Sequence, residues 1–202
     1  MNDEPLLPCL KQPAWSGRDA VVARPLWRES SPYVPWVALG RDRPEGFELL
    51  GRDQAPAGSS PSELEGEALR NLRLRPASWQ DLELDLGGFR RLKMLVATDD
   101  FTAERILDPA FLLEAQRALE APGLLVAIPR RGFLVATALD TNVERVHTFG
   151  AIAATQFQGG ESAPITPALF TTRNGQLVGV VDVVARAIVP PEAMSAVRAP
   201  GA

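Results

Sequence analysis

The longest apolar pattern in the chain lies at residues 124–139. LLVAI is apolar throughout and FLVATAL is apolar at every position but Thr137, and only the four residues PRRG separate them. Such unbroken runs are typical of strands that are buried on both faces. Because four residues cannot hold a crossover helix, the two strands should be antiparallel neighbours. We expect Arg130 and Arg131 to reach solvent at the tip of this hairpin, and Gly132 to supply the positive φ of the turn.

Shorter patterns predict further antiparallel pairs. DLELDL at 81–86 alternates with a period of two, and Gly87-Gly88 then leads into FRRLKMLVAT at 89–98. Asn174-Gly175 lies between two apolar runs and is a strong signal for a two-residue hairpin. Near the N-terminus, residues 20–27, 34–40 and 46–50 are β-like.

Three segments have the apolar spacing and the end signals of helices. Ser60 and Glu63 form a capping box, and Pro61 fits the first position of a helix that stops near Pro76. Asp108 precedes a second helix, which follows a short turn at 102–107 and ends near residue 120. Asn142 or Thr141 caps a third helix, which runs to about residue 157.

The order of these elements predicts the fold class. Each helix is followed by a hairpin, and this happens three times. The sequence therefore predicts an α+β fold, with a mainly antiparallel sheet built from hairpins and about three helices. We expect a flexible N-terminal arm at 1–18, a single α+β domain at 19–188 and a frayed C-terminal tail at 189–202.

Composition narrows the classes of partner. The chain has 202 residues, 46 % of them hydrophobic, and a net charge of −4. Without a basic excess, general binding to nucleic acid is not expected.

Cys9 is the single cysteine, so no intrachain disulfide can form. With no apolar stretch of membrane-spanning length and no signal-peptide pattern, we expect a cytoplasmic protein that contacts no membrane and needs no cofactor. The oligomeric state is left open.

Two groups of residues are candidates for a ligand site. Arg130 and Arg131, joined by Arg90 and Arg91, could bind a small anion, because a guanidinium matches the geometry of phosphate and carboxylate. Alternatively, the pair is simply a solvated turn.

Asp99, Asp100 and Glu104 follow a strand and open a helical turn, so they could hold a divalent metal ion. The alternative is that Asp100 caps the turn and Glu104 is solvated. The single histidine, His147, argues against multi-histidine metal sites.

All four tryptophans lie in the N-terminal half, at Trp15, Trp27, Trp36 and Trp79. Aromatic anchors are frequent in protein interfaces, but such residues also fill cores, and the sequence does not separate these two roles.

Four segments together resemble the bacterial YtpQ-like family. They are EALRNLRLRP at 67–76, DDFTAERIL at 99–107, VAIPRRGFLVA at 126–136 and QGGESAPITPALFTTRNGQL at 158–177. The resemblance covers about residues 36–185. It implies a bacterial, cytoplasmic protein of unassigned function, and it carries over no catalytic residue. Residues 1–35 and the PRRG turn depart from the pattern of the family.

Three functions stay open from the sequence. The absence of a catalytic constellation favours a non-enzymatic interaction or scaffold protein with a protein partner. A small anion-binding module that uses Arg130 and Arg131 is the first alternative. A metal-dependent enzyme that uses Asp99, Asp100 and Glu104 is the second.

Overall fold

The computed structural model describes residues 4–28, 32–85, 91–139, 142–159 and 162–181. The chain divides into two compact units, 1–76 and 77–202, where the sequence predicted one domain over 19–188. The division follows the strand pairing, because the strands before Pro76 pair among themselves and the later strands form a separate sheet. The predicted tail at 189–202 and the predicted turn at Gly87-Gly88 lie outside the described residues.

The first unit is a small antiparallel sheet with one helix. Its strands follow the order β1-β3-β2, and β4 also pairs with β3. Helix α1 packs mainly against β1. The elements are β1 (Leu6–Lys11), a 3-10 helix (Ser16–Asp19), β2 (Ala23–Pro25), β3 (Trp36–Arg43), β4 (Gly46–Leu49) and α1 (Pro61–Leu74).

Strand β1 lies where the sequence predicted part of a flexible arm. Leu6, Leu7, Cys9 and Leu10 are all buried in it, and its register places Pro8 opposite Leu39. Pro8 made this segment look like a loop. Among the described strands, however, β1 pairs with β3 alone. An edge strand can hold a proline, because an N–H on its open side makes no hydrogen bond to a neighbouring strand.

The capping box of α1 is confirmed. The Ser60 hydroxyl accepts a hydrogen bond from the Glu63 N–H at 3.3 Å, and the Glu63 carboxylate accepts one from the Ser60 N–H at 2.7 Å. The bond from the Ser60 N–H, and then the bond from its hydroxyl, lower the pKa of Glu63 below its ordinary value. The charged form of Glu63 is therefore part of the helix start.

As far as its residues are described, the second unit is a six-stranded antiparallel sheet with two α-helices. Its order is β10-β9-β7-β8-β6-β5, and the predicted α+β class is confirmed. The elements are β5 (Gln80–Asp85), β6 (Arg91–Thr98), a second 3-10 helix (Ala103–Leu107), α2 (Pro109–Ala118), β7 (Leu124–Arg130), β8 (Phe133–Ala138), α3 (Val143–Gln158), β9 (Leu169–Arg173) and β10 (Gln176–Val181).

Strands β7 and β8 are central and antiparallel, as the sequence predicted. All seven residues of β7 are buried. One face of the sheet packs against α3 through Phe149, Ile152 and Ala153. Among the described residues, no helix is both long enough and apolar enough to cross a membrane.

The last hairpin has the predicted Asn-Gly turn. Asn174 and Gly175 have φ angles of 51° and 73°, as a type I′ turn requires at its two central positions. A Cβ atom on Gly175 would overlap the carbonyl oxygen of Pro109. The tip of this hairpin therefore rests against the first residue of α2.

All four tryptophans are partly buried, and two of them donate a hydrogen bond from the indole Nε1. Trp36 donates to the Pro13 carbonyl at 3.3 Å, and Trp79 donates to the Phe111 carbonyl at 3.0 Å. Trp79 also stacks on the Phe111 ring, with 4.7 Å between the ring centroids. These two side chains therefore have structural contacts of their own.

A β-bulge interrupts β7 just before its end. Ala127 pairs with Val135 and Arg130 pairs with Phe133, so two residues of β7, Ile128 and Pro129, oppose Leu134 alone. A bulge re-aims the side chains that follow it. Because directly opposed residues of an antiparallel pair share a face, Arg130 lies on the same face of the sheet as Phe133.

Candidate functional site: the arginine corner

Three segments of the second unit meet at one end of the sheet. They are the β7–β8 turn at 129–132, the turn at 99–102 and the segment at 162–166, and we call this place the arginine corner. The Arg131 N–H donates to the Ala163 carbonyl at 2.9 Å, and the Ile165 N–H donates to the Pro129 carbonyl at 2.9 Å. The Ser162 hydroxyl donates to the Arg131 carbonyl at 3.0 Å. These bonds fix the backbone around both arginines.

Arg130 is buried at this corner. The residue is 7 % exposed, so the prediction that it reaches solvent at the hairpin tip is wrong. The reason is that residues 162–166 cover the end of β7, through a bridge between Arg130 and Pro164. Within the described part of the chain, the Nε of Arg130 is buried and has no hydrogen-bond partner. Burial lowers the pKa of Arg130 below its ordinary value.

Arg131 lies beside Arg130 but is only partly buried. Its guanidinium carbon is 5.5 Å from the centroid of the Phe101 ring, within the range of a cation–π contact. Phe101 is itself buried and has a φ of 64°. This left-handed conformation costs a residue with a side chain about 1–2 kcal/mol, so the packing around Phe101 must hold it.

Gly132 fits tightly at the corner. Its φ is 71°, as the turn was predicted to need. A Cβ atom at this position would lie 3.2 Å from the Asp99 carbonyl oxygen. The tip of the β7–β8 hairpin is thus held between the turn at 99–102 and the segment at 162–166.

The predicted metal ligands do not form a metal site. Asp99 and Asp100 are exposed. Glu104 is only 1 % exposed, so it is not solvated and does not join the two aspartates at the surface. In the described ranges, no group of three or more His, Cys, Asp or Glu side chains could hold a metal ion. Glu104 lies on the 3-10 helix at 103–107, which packs against β7 and β8, so this helix carries the carboxylate inward.

Arg90 and Arg91 were predicted to join Arg130 and Arg131, and the fold separates Arg91 from them. Arg90 lies outside the described residues. Arg91 begins β6, and Thr98 at the other end of that strand pairs with Phe133 next to the corner. Seven residues of strand span roughly 23 Å. Arg91 therefore lies at the opposite end of the sheet.

One buried ion pair was not anticipated from the sequence. Arg105 and Asp108 lie 3.4 Å apart, with side chains 6 % and 5 % exposed. Asp108 also accepts a hydrogen bond from the Ala110 N–H at 3.2 Å and so caps α2, as predicted. The spacing Arg-x-x-Asp could have indicated this ion pair, but only the capping role of Asp108 was predicted from the sequence.

Known proteins do not identify the corner. No family model, no curated protein and no solved structure matches the chain. The arrangement itself must therefore indicate the chemistry. An arginine whose Nε is buried, followed directly in the chain by a partly exposed arginine, can bind an oxyanion through charge-assisted hydrogen bonds. His147 lies on α3. The two residues before it, Arg145 and Val146, line a cavity at the other end of the sheet.

Proposed function

We propose that the chain is a non-enzymatic module that binds a small oxyanion, such as a phosphate or a carboxylate group, at the arginine corner. The supporting observation is the buried Nε of Arg130, which has no hydrogen-bond partner among the described residues. A buried charged donor without a partner costs more than the roughly 1–3 kcal/mol of a neutral one. An oxyanion that accepts from Arg130 would remove this cost.

The surroundings of Arg130 favour a ligand over a loosely held side chain. Backbone hydrogen bonds fix residues on both sides of it, so the main chain that carries the guanidinium is in place before a ligand arrives. Such preorganisation lowers the entropic cost of binding. Arg131 would add a second positive charge at the more exposed side of the site.

A thermal-shift titration tests the proposal. Inorganic phosphate, sulfate and acetate are added at constant ionic strength, and the melting temperature of the full chain is measured. Binding to the folded state alone should raise the melting temperature, with about 2.7 kcal/mol of added stability at one hundred times the Kd. Arg130→Gln should abolish the increase. Arg117→Gln, which removes an exposed arginine from α2 in the same unit, should keep it.

A second variant separates ligand binding from structural support. If Arg130 serves a ligand, Arg130→Met should leave the melting temperature without anion unchanged or higher, because it removes a buried charge that lacks a partner. A clear loss of stability in Arg130→Met would mean that the arginine supports the fold. The proposal would also be contradicted if the anions raised the melting temperature of the Arg130→Gln variant as much as that of the Arg117→Gln variant.

The interaction or scaffold role stays a prediction. Among the residues that the structure describes, the exposed large apolar ones are Tyr33, Leu74, Val143 and Val178, each on a different segment. Apolar residues that are exposed singly are normal on a protein surface. We therefore place the oxyanion-binding function first.

A further inference from the structure

The six-stranded sheet splits at the end opposite the arginine corner. The register between β6 and β8 ends at the pair Met94–Thr137. Beyond this pair, β6 continues to Arg91 along β5, and β8 continues to Ala138 along β7. The Thr137 hydroxyl donates to the Lys93 carbonyl at 2.8 Å, so a side chain bridges the two strands where the ladder stops.

A cavity of about 220 Å³ lies at this split. Leu92 and Lys93 line it from β6, and Thr137 and Ala138 line it from β8. The remaining walls come from Leu119, Leu125, Arg145 and Val146. The cavity is smaller than the roughly 300–1,000 Å³ clefts that hold drug-sized ligands.

The lining combines an apolar interior with positive charge. Of the eight described residues that line it, four are leucine or valine, two are cationic and none is a carboxylate. The Lys93 ammonium donates to the Ala118 carbonyl at 3.3 Å, which holds this side chain at the last turn of α2. An ammonium has three donors, so Lys93 has further donors for a ligand.

We propose that this cavity binds a small amphipathic anion, an organic carboxylate with a compact apolar body. The apolar body would lie against the leucine and valine side chains, and the carboxylate would accept a hydrogen bond from Lys93 or Arg145. The volume limits the body to about the size of one aromatic ring or a short branched chain. This site stands on different residues from the arginine corner and does not depend on it.

Amide NMR titrations of the full chain with benzoate test the inference. Benzamide has a nearly identical shape without the charge, and inorganic phosphate has charge without an apolar body. We expect benzoate to shift the amide signals of Leu92, Lys93, Thr137 and Ala138. Its Kd at these signals should be about tenfold or more below that of benzamide, because a charge-assisted hydrogen bond is stronger than a neutral one. Phosphate should leave these signals unchanged.

Variants distinguish this cavity from the arginine corner. Lys93→Gln combined with Arg145→Gln should abolish the preference for benzoate over benzamide. Ala138→Phe should block both ligands while it leaves the two cations in place. Arg130→Gln, five residues along β7 from Leu125, should keep benzoate binding at the cavity even if it removes anion binding at the corner. A dispersed amide spectrum verifies that each variant is folded.

Two results would overturn the inference. The first is an equal Kd for benzoate and benzamide in the unmodified chain. The second is a benzoate preference that survives the Lys93 and Arg145 double variant. If Ala138→Phe does not fold, the double variant still decides, because its two substitutions are at exposed positions.

Discussion

Gly132 and Gly175 lie at the tips of two hairpins in the same unit and have nearly equal φ angles, 71° and 73°. They differ in what surrounds them. A Cβ atom on Gly132 would be 3.2 Å from the Asp99 carbonyl oxygen, whereas a Cβ atom on Gly175 would overlap the Pro109 carbonyl oxygen. Substitutions at these two positions therefore meet nearly the same backbone conformation but different degrees of crowding.

We expect Gly175→Ala to be the more damaging substitution of the two. Gly132→Ala should lower the free energy of unfolding by about 1–2 kcal/mol, which is the cost of a left-handed conformation. Gly175→Ala should exceed this by at least about 1 kcal/mol, because the hairpin must also move away from α2. Urea denaturation of both variants measures the difference. Equal losses would show that the β9–β10 tip can shift freely.

At the scale of elements, α1 offers the clearest test of a helix start. Ser60→Ala removes the hydroxyl that accepts from the Glu63 N–H, and we expect it to cost about 1 kcal/mol. Ser62→Ala is the matched control, because Ser62 lies inside the first turn and alanine has the higher helix propensity there. A loss in Ser62→Ala as large as that in Ser60→Ala would argue against the capping role.

The same helix start gives a pH dependence with a definite sign. The folded-state pKa of Glu63 is lowered, so its contribution to stability is present above the ordinary pKa of glutamate. That contribution is lost as the pH falls through the lowered value. In Ser60→Ala the pKa should rise only part of the way, because the larger cause, the backbone N–H of residue 60, remains. A carboxyl-carbon NMR titration measures the shift.

The sequence predicted most elements for local reasons. Caps at Ser60, Asp108 and Asn142 act within three residues, and each one is confirmed. The Asn-Gly turn likewise depends on two residues alone. Strand β1 was missed because its place at a sheet edge, which makes Pro8 tolerable, is a property of the tertiary fold.

The site was less predictable than the elements. The sequence singled out Arg130 and Arg131, and the structure places Arg131 over the Phe101 ring and the following Gly132 close to the Asp99 carbonyl. The burial of Arg130 was not predictable, because it depends on residues 162–166, which are more than thirty positions away in the sequence. Arg91 was misplaced because the length of β6 separates the ends of the sheet.

At the scale of the whole molecule, the division at Pro76 predicts that residues 77–202 can fold as a fragment. Every strand of the six-stranded sheet finds its partner within this range, and the length falls within the usual 50–250 residues of a domain. We expect the fragment to show the circular dichroism of a mixed α and β protein and a dispersed amide spectrum. A fragment that has random-coil spectra in buffer would contradict this expectation.

The stacking of Trp79 on Phe111 also has an optical consequence. Trp15, Trp27 and Trp36 belong to residues 1–76, so Trp79 is the one indole of residues 77–202. Replacing the other three with phenylalanine would leave a single emitter whose Nε1 is tied to the Phe111 carbonyl. Its fluorescence spectrum and lifetime would then report whether Phe111 of α2 stays packed against Trp79, without any added dye.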